Sequence, residues 1–509
     1  MVLFGATGDL AKRKLFPALF GLYKAKKLHA DFRVIGSGRS VMSDSDFTAM
    51  VRHSIETFGR ISIDTEEEWT QFISHFSYIS LDVMNLQAYN ALLALVHTKE
   101  KEAGTAGNRL FYLAIAPNLF GPVASYLKQS GLTDTNGWKR LVIEKPFGHD
   151  LASAEELNQQ IQQAFDEEEI FRIDHYLGKE MVQNIEVIRF ANSLFEPLWN
   201  NTHISNIQIT ASETVGVEER AVYYENAGAL RDMVQNHMLQ MIMMVCMEPP
   251  SRLKTEAIRD EKVKVLRSLR RYSEDEVPKY IVRGQYREGS MQNHKVAGYR
   301  EEPNVKPDSL TETFVAAKLF IDNFRWAGVP IYIRTGKRMP RKSTEIVIQF
   351  KEMPQGIFFN KNGVLGPNLL IIRINPMEGM DLVLNAKKPG TDDDVVPISM
   401  SFCNNCGQET PEAYERLFYD AIQGDSTFFT RWDEVSLAWK FVDPIRRAWD
   451  NHPETLCYYE AGSFGPVESE KLLQQEQHNW WNVSTSSQEK IHGVELKHVD
   501  LQHRRPMYV

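Results

Sequence analysis

The nine residues Arg172-Ile173-Asp174-His175-Tyr176-Leu177-Gly178-Lys179-Glu180 place an acid, an imidazole, a phenol and an ammonium within six positions. A helix over Tyr176–Glu180 would set His175 and Lys179 four apart on one face. Two donors side by side form a socket for a doubly charged phosphate. Asp174 then points elsewhere and is available to orient another group. The plain alternative is a solvated helix start of mixed charge.

His237 is a second candidate. Leu230, Val234, His237, Met241 and Met244 recur every three or four residues, which predicts a helix over Ala229–Met247 with His237 on its apolar stripe. A buried structural histidine fits that pattern. So does a general base, since an imidazole with pKa near ~6.5 takes a proton readily at neutral pH.

These groups need elements to hold them. Val2-Leu3-Phe4 is a short apolar run followed by Gly5-x-x-Gly8 and a predicted helix, Leu10–Leu28, in which Pro17 predicts a kink or a broken first turn. Small residues at a first strand-to-helix turn let backbone N–H groups approach a pyrophosphate, and Lys12 and Lys14 add charge nearby. A second strand, Phe32–Gly36, leads into Ser37-Gly38-Arg39-Ser40. An NAD site usually has an acid here; Arg39 and Ser40 suit a 2′-phosphate instead, and a guanidinium can also stack on adenine. The Gly-Ser-Gly here follows the second strand and is not read as a dinucleotide fingerprint. Phe111–Ile115 and Leu141–Ile143 read as further buried strands. The latter delivers Lys145, which a parallel sheet would point into a ligand cleft.

The motif RIDHYLGKE resembles the signature of the glucose-6-phosphate dehydrogenases. Gly5-Ala6-Thr7-Gly8-Asp9-Leu10-Ala11-Lys12, Glu144-Lys145-Pro146-Phe147-Gly148, Asp232-Met233-Val234-Gln235-Asn236-His237 and Arg334-Thr335-Gly336-Lys337 follow the same family's order. The similarity runs from the first residues to roughly Leu473. The resemblance implies oxidation of β-D-glucose 6-phosphate at C1 to 6-phosphoglucono-δ-lactone, the first step of the oxidative pentose phosphate pathway. NADP would be the hydride acceptor, with NAD use left open and no metal required. It implies His237 as base and Asp174 as its orienter, a pairing also used by acid–histidine couples in hydrolases. Lys145, His175, Tyr176, Lys179, Glu213, Asp232, Lys337 and Lys342 would bind the sugar phosphate. Gly5, Ala6, Thr7, Gly8, Asp9, Leu10, Lys12, Lys14, Arg39, Ser40 and Lys145 would meet the cofactor. The family also implies a homodimer or dimer of dimers. The second, structural NADP that some members bind near the C-terminus is not carried over to this tail.

Bulk properties set limits. The chain of 509 residues carries a net charge of −9, which argues against a nucleic-acid partner. Phosphate ligands then need local positive potential, and Lys12, Arg13, Lys14, Lys145, His175, Lys179, Lys337, Arg341 and Lys342 could supply it. No apolar run reaches the ~18 residues of a membrane helix, and no signal-like segment opens the chain, so a cytoplasmic enzyme is expected. Four cysteines do not suggest a disulfide scaffold; Cys403-x-x-Cys406 is read as a pair of reduced thiols.

The first third alternates strands and helices, predicting a Rossmann-like, doubly wound parallel sheet over residues 1–173. After it, Ile331–Arg334, Glu345–Phe350, Asn368–Ile374 and Met380–Asn385 lie close together without helical crossovers, predicting an α+β domain over 174–478 with an extended antiparallel sheet. The resemblance implies that this sheet also forms the dimer interface. Residues 479–509 read as a polar C-terminal extension. Two rivals remain: a sugar dehydrogenase of the inositol-dehydrogenase and glucose–fructose-oxidoreductase type, and a sugar-phosphate sensor without catalysis.

Overall fold

The computed structural model describes residues 1–104, 107–353, 365–391, 394–404, 412–482 and 497–498. The chain divides into two compact units. The first joins Met1–Lys179, Pro250–Asp260 and Pro411–Trp439; the second joins Glu180–Pro249, Glu261–Thr410 and Lys440–Val509. A single cut after residue 173 does not anticipate the two later segments of the first unit.

The first unit is built on six parallel strands: β1 (Val2–Phe4), β2 (Val34–Gly38), β3 (Phe76–Ser80), β4 (Arg109–Leu113), β5 (Lys139–Ile143) and β6 (Ile170–Arg172). Their order is 3-2-1-4-5-6, the doubly wound arrangement with its switch between β1 and β4. β2 ends two residues later than the apolar pattern suggests, because pairing with β1 and β3 on both sides draws Ser37 and Gly38 into the sheet. Gly36 is required here: a Cβ would lie 2.3 Å from the Phe47 ring, so the helix Asp44–Phe58 could not pack this closely. That helix starts at Ser43, whose hydroxyl accepts from Asp46 N while the Asp46 carboxylate answers Ser43 N.

Pro17 does not break its helix. A π-helical turn over Ala11–Leu15 precedes the α-helix Phe16–Lys24, so the proline falls in that helix's first turn, where a missing N–H is tolerated. One apolar core unites Leu3, Phe16, Phe20, Phe47, Phe72 and Phe171 with Leu417, Phe418, Ala421 and Phe429. Tyr112 of β4 stacks on Phe418, ring centres 5.0 Å apart.

The second unit holds β7 (Ile204–Ser212), β8 (Ile281–Arg287), a small hairpin of β9 (Gly289–Met291) and β10 (His294–Val296), then β11 (Phe314–Leu319), β12 (Ile331–Gly336), β13 (Ser343–Phe350), β14 (Leu369–Asn375), β15 (Gly379–Lys387), β16 (Val395–Cys403), β17 (Leu456–Glu460) and β18 (Lys497–His498). Among the described residues ten of these form one sheet, ordered 17-8-11-12-7-13-14-15-16-18. It is mixed but largely antiparallel. β12 runs parallel to β7, β17 to β8 and β18 to β16. Close spacing predicts antiparallel partners only for strands adjacent in sequence, and each parallel pair joins strands far apart in the chain.

Two further expectations change. Trp480 and Trp481 belong to the domain and not to an extension. Trp480 is 1% exposed, beneath the Arg334 guanidinium at 4.4 Å, and Trp481 Nε1 donates to Gln349 Oε1. Cys403 is disulfide-bonded rather than a reduced thiol, a state open to a cysteine in C-x-x-C spacing; Cys406 lies outside the described residues. Most of the proposed extension, 483–496 and 499–509, lies outside them too. No helix among the described residues is long and apolar enough to cross a membrane.

Candidate active site

In the first unit every candidate group follows the carboxyl end of a strand, where ligands of such sheets bind. Gly5 follows β1 with φ +78°, and a Cβ there would sit 2.1 Å from Ala114 O. Only glycine fits. Gly5 N and Ala6 N both donate to Ser37 O, and Gly8 N turns back to Gly5 O at 2.9 Å. Thr7 borders Gly38, and Leu10 packs against the apolar core. Asp9 is exposed and pairs with Arg13 at 2.6 Å. Lys12 is half-buried, its N–H bonded to Gly8 O. Lys14 pairs with Glu412 at 3.2 Å, and Arg60 reaches the same carboxylate at 3.2 Å.

Arg39 and Ser40 follow β2 with exposed side chains. Their backbone is fastened: Tyr78 Oη donates to Ser40 O at 2.7 Å and Ser80 Oγ to Arg39 O at 3.3 Å. No acid occupies the position after β2, so the turn and Arg39 together fit a dinucleotide carrying a 2′-phosphate.

β5 delivers Glu144 and Lys145, and β6 leads into Asp174. Tyr176 N donates to Asp174 Oδ1 at 2.9 Å. The stretch from His175 to Gly178 is not helical. It forms tight turns, with Leu177 N bonded to Asp174 O and Lys179 N to Tyr176 O, and the helix begins only at Glu180. Gly178 packs against Ala413, where a Cβ would lie 2.8 Å from the backbone oxygen, so the chain follows that packing. His175 and Lys179 still converge. The His175 ring lies 5.0 Å from the Tyr176 ring, and Lys179 Nζ stands 5.5 Å from the same ring.

Glu144 was not singled out from the sequence, although it lies inside the Glu-Lys-Pro motif. Tyr112 of β4 and Tyr414 of the helix Ala413–Gln423 both donate to its carboxyl. Burial pushes that carboxyl up to about 7, against the pull of the two phenols and Lys145, while the Asp174 charge adds to the rise. Tyr414 and Glu412 gave no signal of their own, since only the fold brings residues so distant in sequence to β4, β5 and Lys14.

The second unit carries the remaining candidates. Ser212 of β7 is in register with Gly336 of β12 and with Ser343 of β13. Glu213, Lys337 and Lys342 therefore leave the same end of three neighbouring strands. Lys337 Nζ meets Glu213 Oε2 at 2.5 Å and stands 5.0 Å from the Tyr224 ring; Lys342 is exposed. Asp232 and His237 lie together on a π-helical segment, Leu230–Met238, which replaces the first part of the expected α-helix before Leu239–Cys246 continues it. Tyr223 Oη donates to Asp232 Oδ1 at 3.1 Å. His237 is 1% exposed, and its N–H is held by Asn236 Oδ1 at 2.6 Å. π-helical turns of this kind concentrate at functional sites.

Comparison with known proteins identifies one family for the whole chain. The family model for the glucose-6-phosphate dehydrogenase NAD-binding domain matches residues 2–184, and that for the C-terminal domain of the same enzymes matches 186–481. Glucose-6-phosphate 1-dehydrogenase of Bacillus subtilis is 54% identical over 95% of this chain and 98% of its own length. The Streptococcus pneumoniae protein of the same name is 44% identical over 94% and 96%. A solved structure of glucose-6-phosphate dehydrogenase in complex with its substrate glucose 6-phosphate superposes with a TM-score of 0.86, at 36% identity, covering 94% of this chain and 97% of that one. On this end-to-end likeness the chain belongs to the glucose-6-phosphate dehydrogenase family.

Proposed function

We propose that this enzyme oxidises β-D-glucose 6-phosphate at C1 to 6-phosphoglucono-δ-lactone, with His237 as base and Asp174 as the group that orients it. The carrying observation is the match at 54% identity over 95% of the chain, together with the family models over 2–184 and 186–481, which span every motif that suggested this chemistry. The alternative of an inositol-dehydrogenase or glucose–fructose-oxidoreductase type gains no support from these relatives.

The residue roles follow from chemistry. His175, Tyr176 and Lys179 hold the phosphate, whose charge matches the imidazole and ammonium. Glu213 and Asp232 accept hydrogen bonds from sugar hydroxyls, while Lys337 and Lys342 supply donors. Lys145 hydrogen-bonds the sugar near C1. His237 takes the proton of the C1 hydroxyl, and the C1–H electron pair leaves as hydride as the C1–O double bond forms. NADP, when bound, supplies the hydride acceptor. The Gly5–Gly8 turn receives its pyrophosphate, and Arg39 with Ser40 its 2′-phosphate. The same reading makes the enzyme a cytoplasmic homodimer or dimer of dimers, as the motif resemblance implies; light scattering of the pure protein tests the assembly. Absorbance of NADPH with glucose 6-phosphate as the sole added sugar tests the reaction. Equal rates on unphosphorylated glucose would overturn it.

A further inference from the structure

The carboxyl of Glu144 has no role in the mechanism above, yet it is buried and accepts from two phenols. It stands one residue before the substrate lysine. Tyr112 reaches it from β4 and Tyr414 from the helix Ala413–Gln423. Tyr112 is itself fixed by stacking on Phe418 of that same helix, so the two phenols are parts of one packed wall. The charged and titratable groups facing Glu144 are those two phenols, Lys145 on its own strand end and Asp174 beyond β6. A surface acid needs no such enclosure. A carboxylate enclosed this way is anchored at the strand end, and its charge interacts with the ammonium of the next residue, Lys145.

We propose that Glu144 is a positioning residue for the reaction: the Tyr112–Glu144–Tyr414 clamp sets the orientation of Lys145, and it does so fully only when Glu144 is ionised. The inference rests on the proposed reaction and on Lys145 touching the sugar. Its pH dependence has a definite sign. Burial raises the carboxyl to about 7, so below that pH Glu144 is protonated and close in shape and charge to glutamine. Above it, the carboxylate is present and glutamine no longer imitates it.

The experiment is a pH profile of kcat/KM for glucose 6-phosphate, from pH 6 to pH 9, for wild type, E144Q and Y414F. At pH 8.5 E144Q should fall about ten-fold below wild type, the size of one charge-assisted hydrogen bond. Near pH 6 the two should converge to within about two-fold, since the carboxyl is then neutral in both enzymes. Y414F removes a donor to the ionised form, so its acid limb should move to higher pH. A loss in E144Q that is the same at every pH would reduce Glu144 to a structural residue and overturn the proposal. If E144Q does not fold, an unmoved acid limb in Y414F overturns it equally. Failure of the underlying reaction shows differently, because wild type would then produce no NADPH.

Discussion

Lys337 Nζ and Glu213 Oε2 are 2.5 Å apart, an ion pair joining the ends of the parallel neighbours β12 and β7. Glu213 is 40% exposed at its side chain while Lys337 is nearly buried at 9%, so the pair sits at the edge of the surface, and screening at the glutamate limits what it adds to stability. Its value lies in holding a cation and an acceptor at one sheet end before any sugar arrives. Lys337→Ala should raise the Michaelis constant for glucose 6-phosphate by about ten-fold, the loss of one charge-assisted contact, with melting almost unchanged. Steady-state kinetics with a thermal melt check both halves.

His237 lies buried on its π-helical segment. His237→Asn should keep the fold and substrate affinity while lowering turnover by ~10² or more, because general base catalysis contributes about 10²–10⁴. Asp174→Asn should lose less, since it disturbs orientation and leaves the base. Near-normal turnover in His237→Asn would remove the histidine from the mechanism.

Lys179 converges with His175 and Tyr176 through turns. Lys179→Ala should raise the Michaelis constant for glucose 6-phosphate far more than that for NADP. Weak activity on free glucose should scarcely change. Equal losses on both sugars would show that the lysine holds structure and not phosphate.

Arg39 follows β2 on a backbone fastened by Tyr78 and Ser80. Arg39→Ala should cost ~10- to 100-fold in NADP affinity, at roughly 1.5–3 kcal/mol per charge-assisted hydrogen bond. NAD should lose little apart from adenine stacking. Titration of both cofactors by fluorescence separates the outcomes, and an equal fall for both would make Arg39 a structural residue.

Trp480 is an anchor of the second unit's core, packed with Tyr332 and Arg334. Trp480→Ala should destabilise that unit by about 3–5 kcal/mol, the usual cost of emptying a buried aromatic site. Chemical denaturation followed by circular dichroism measures it. A loss below about 0.5 kcal/mol, the range of ordinary surface substitutions, would place this tryptophan outside the core.

Strands with an ordinary apolar pattern were legible in the sequence, while polar strands buried by distant partners were not. β12 to β15 announced themselves by alternating or continuous apolar runs. β7 alternates too, with Ile207, Ile209 and Ala211 against Gln208 and Thr210, but that pattern marks a strand with one face in water, and here the polar face is covered as well. Both are buried: Gln208 bonds the backbone of Asn479 and Trp481, and Thr210 accepts from Arg334. Such polar burial is tolerated only once the distant partner is in place, so no local pattern reveals it. The site shows the same division. Short contiguous motifs marked Gly5, Lys145, Asp174 and His237. Glu144 gains its setting from Tyr112 and Tyr414, and the turn geometry of His175–Gly178 depends on packing against Ala413.

The first unit takes part of its core from Leu417, Phe418, Ala421 and Phe429. During synthesis its six parallel strands leave the ribosome long before that apolar material exists. The nascent sheet therefore waits with an uncovered face until residue 439 has emerged, and a fragment ending at Lys179 would carry the same exposed surface. Expressed alone, that fragment should aggregate, whereas adding Pro411–Trp439 in trans should restore solubility.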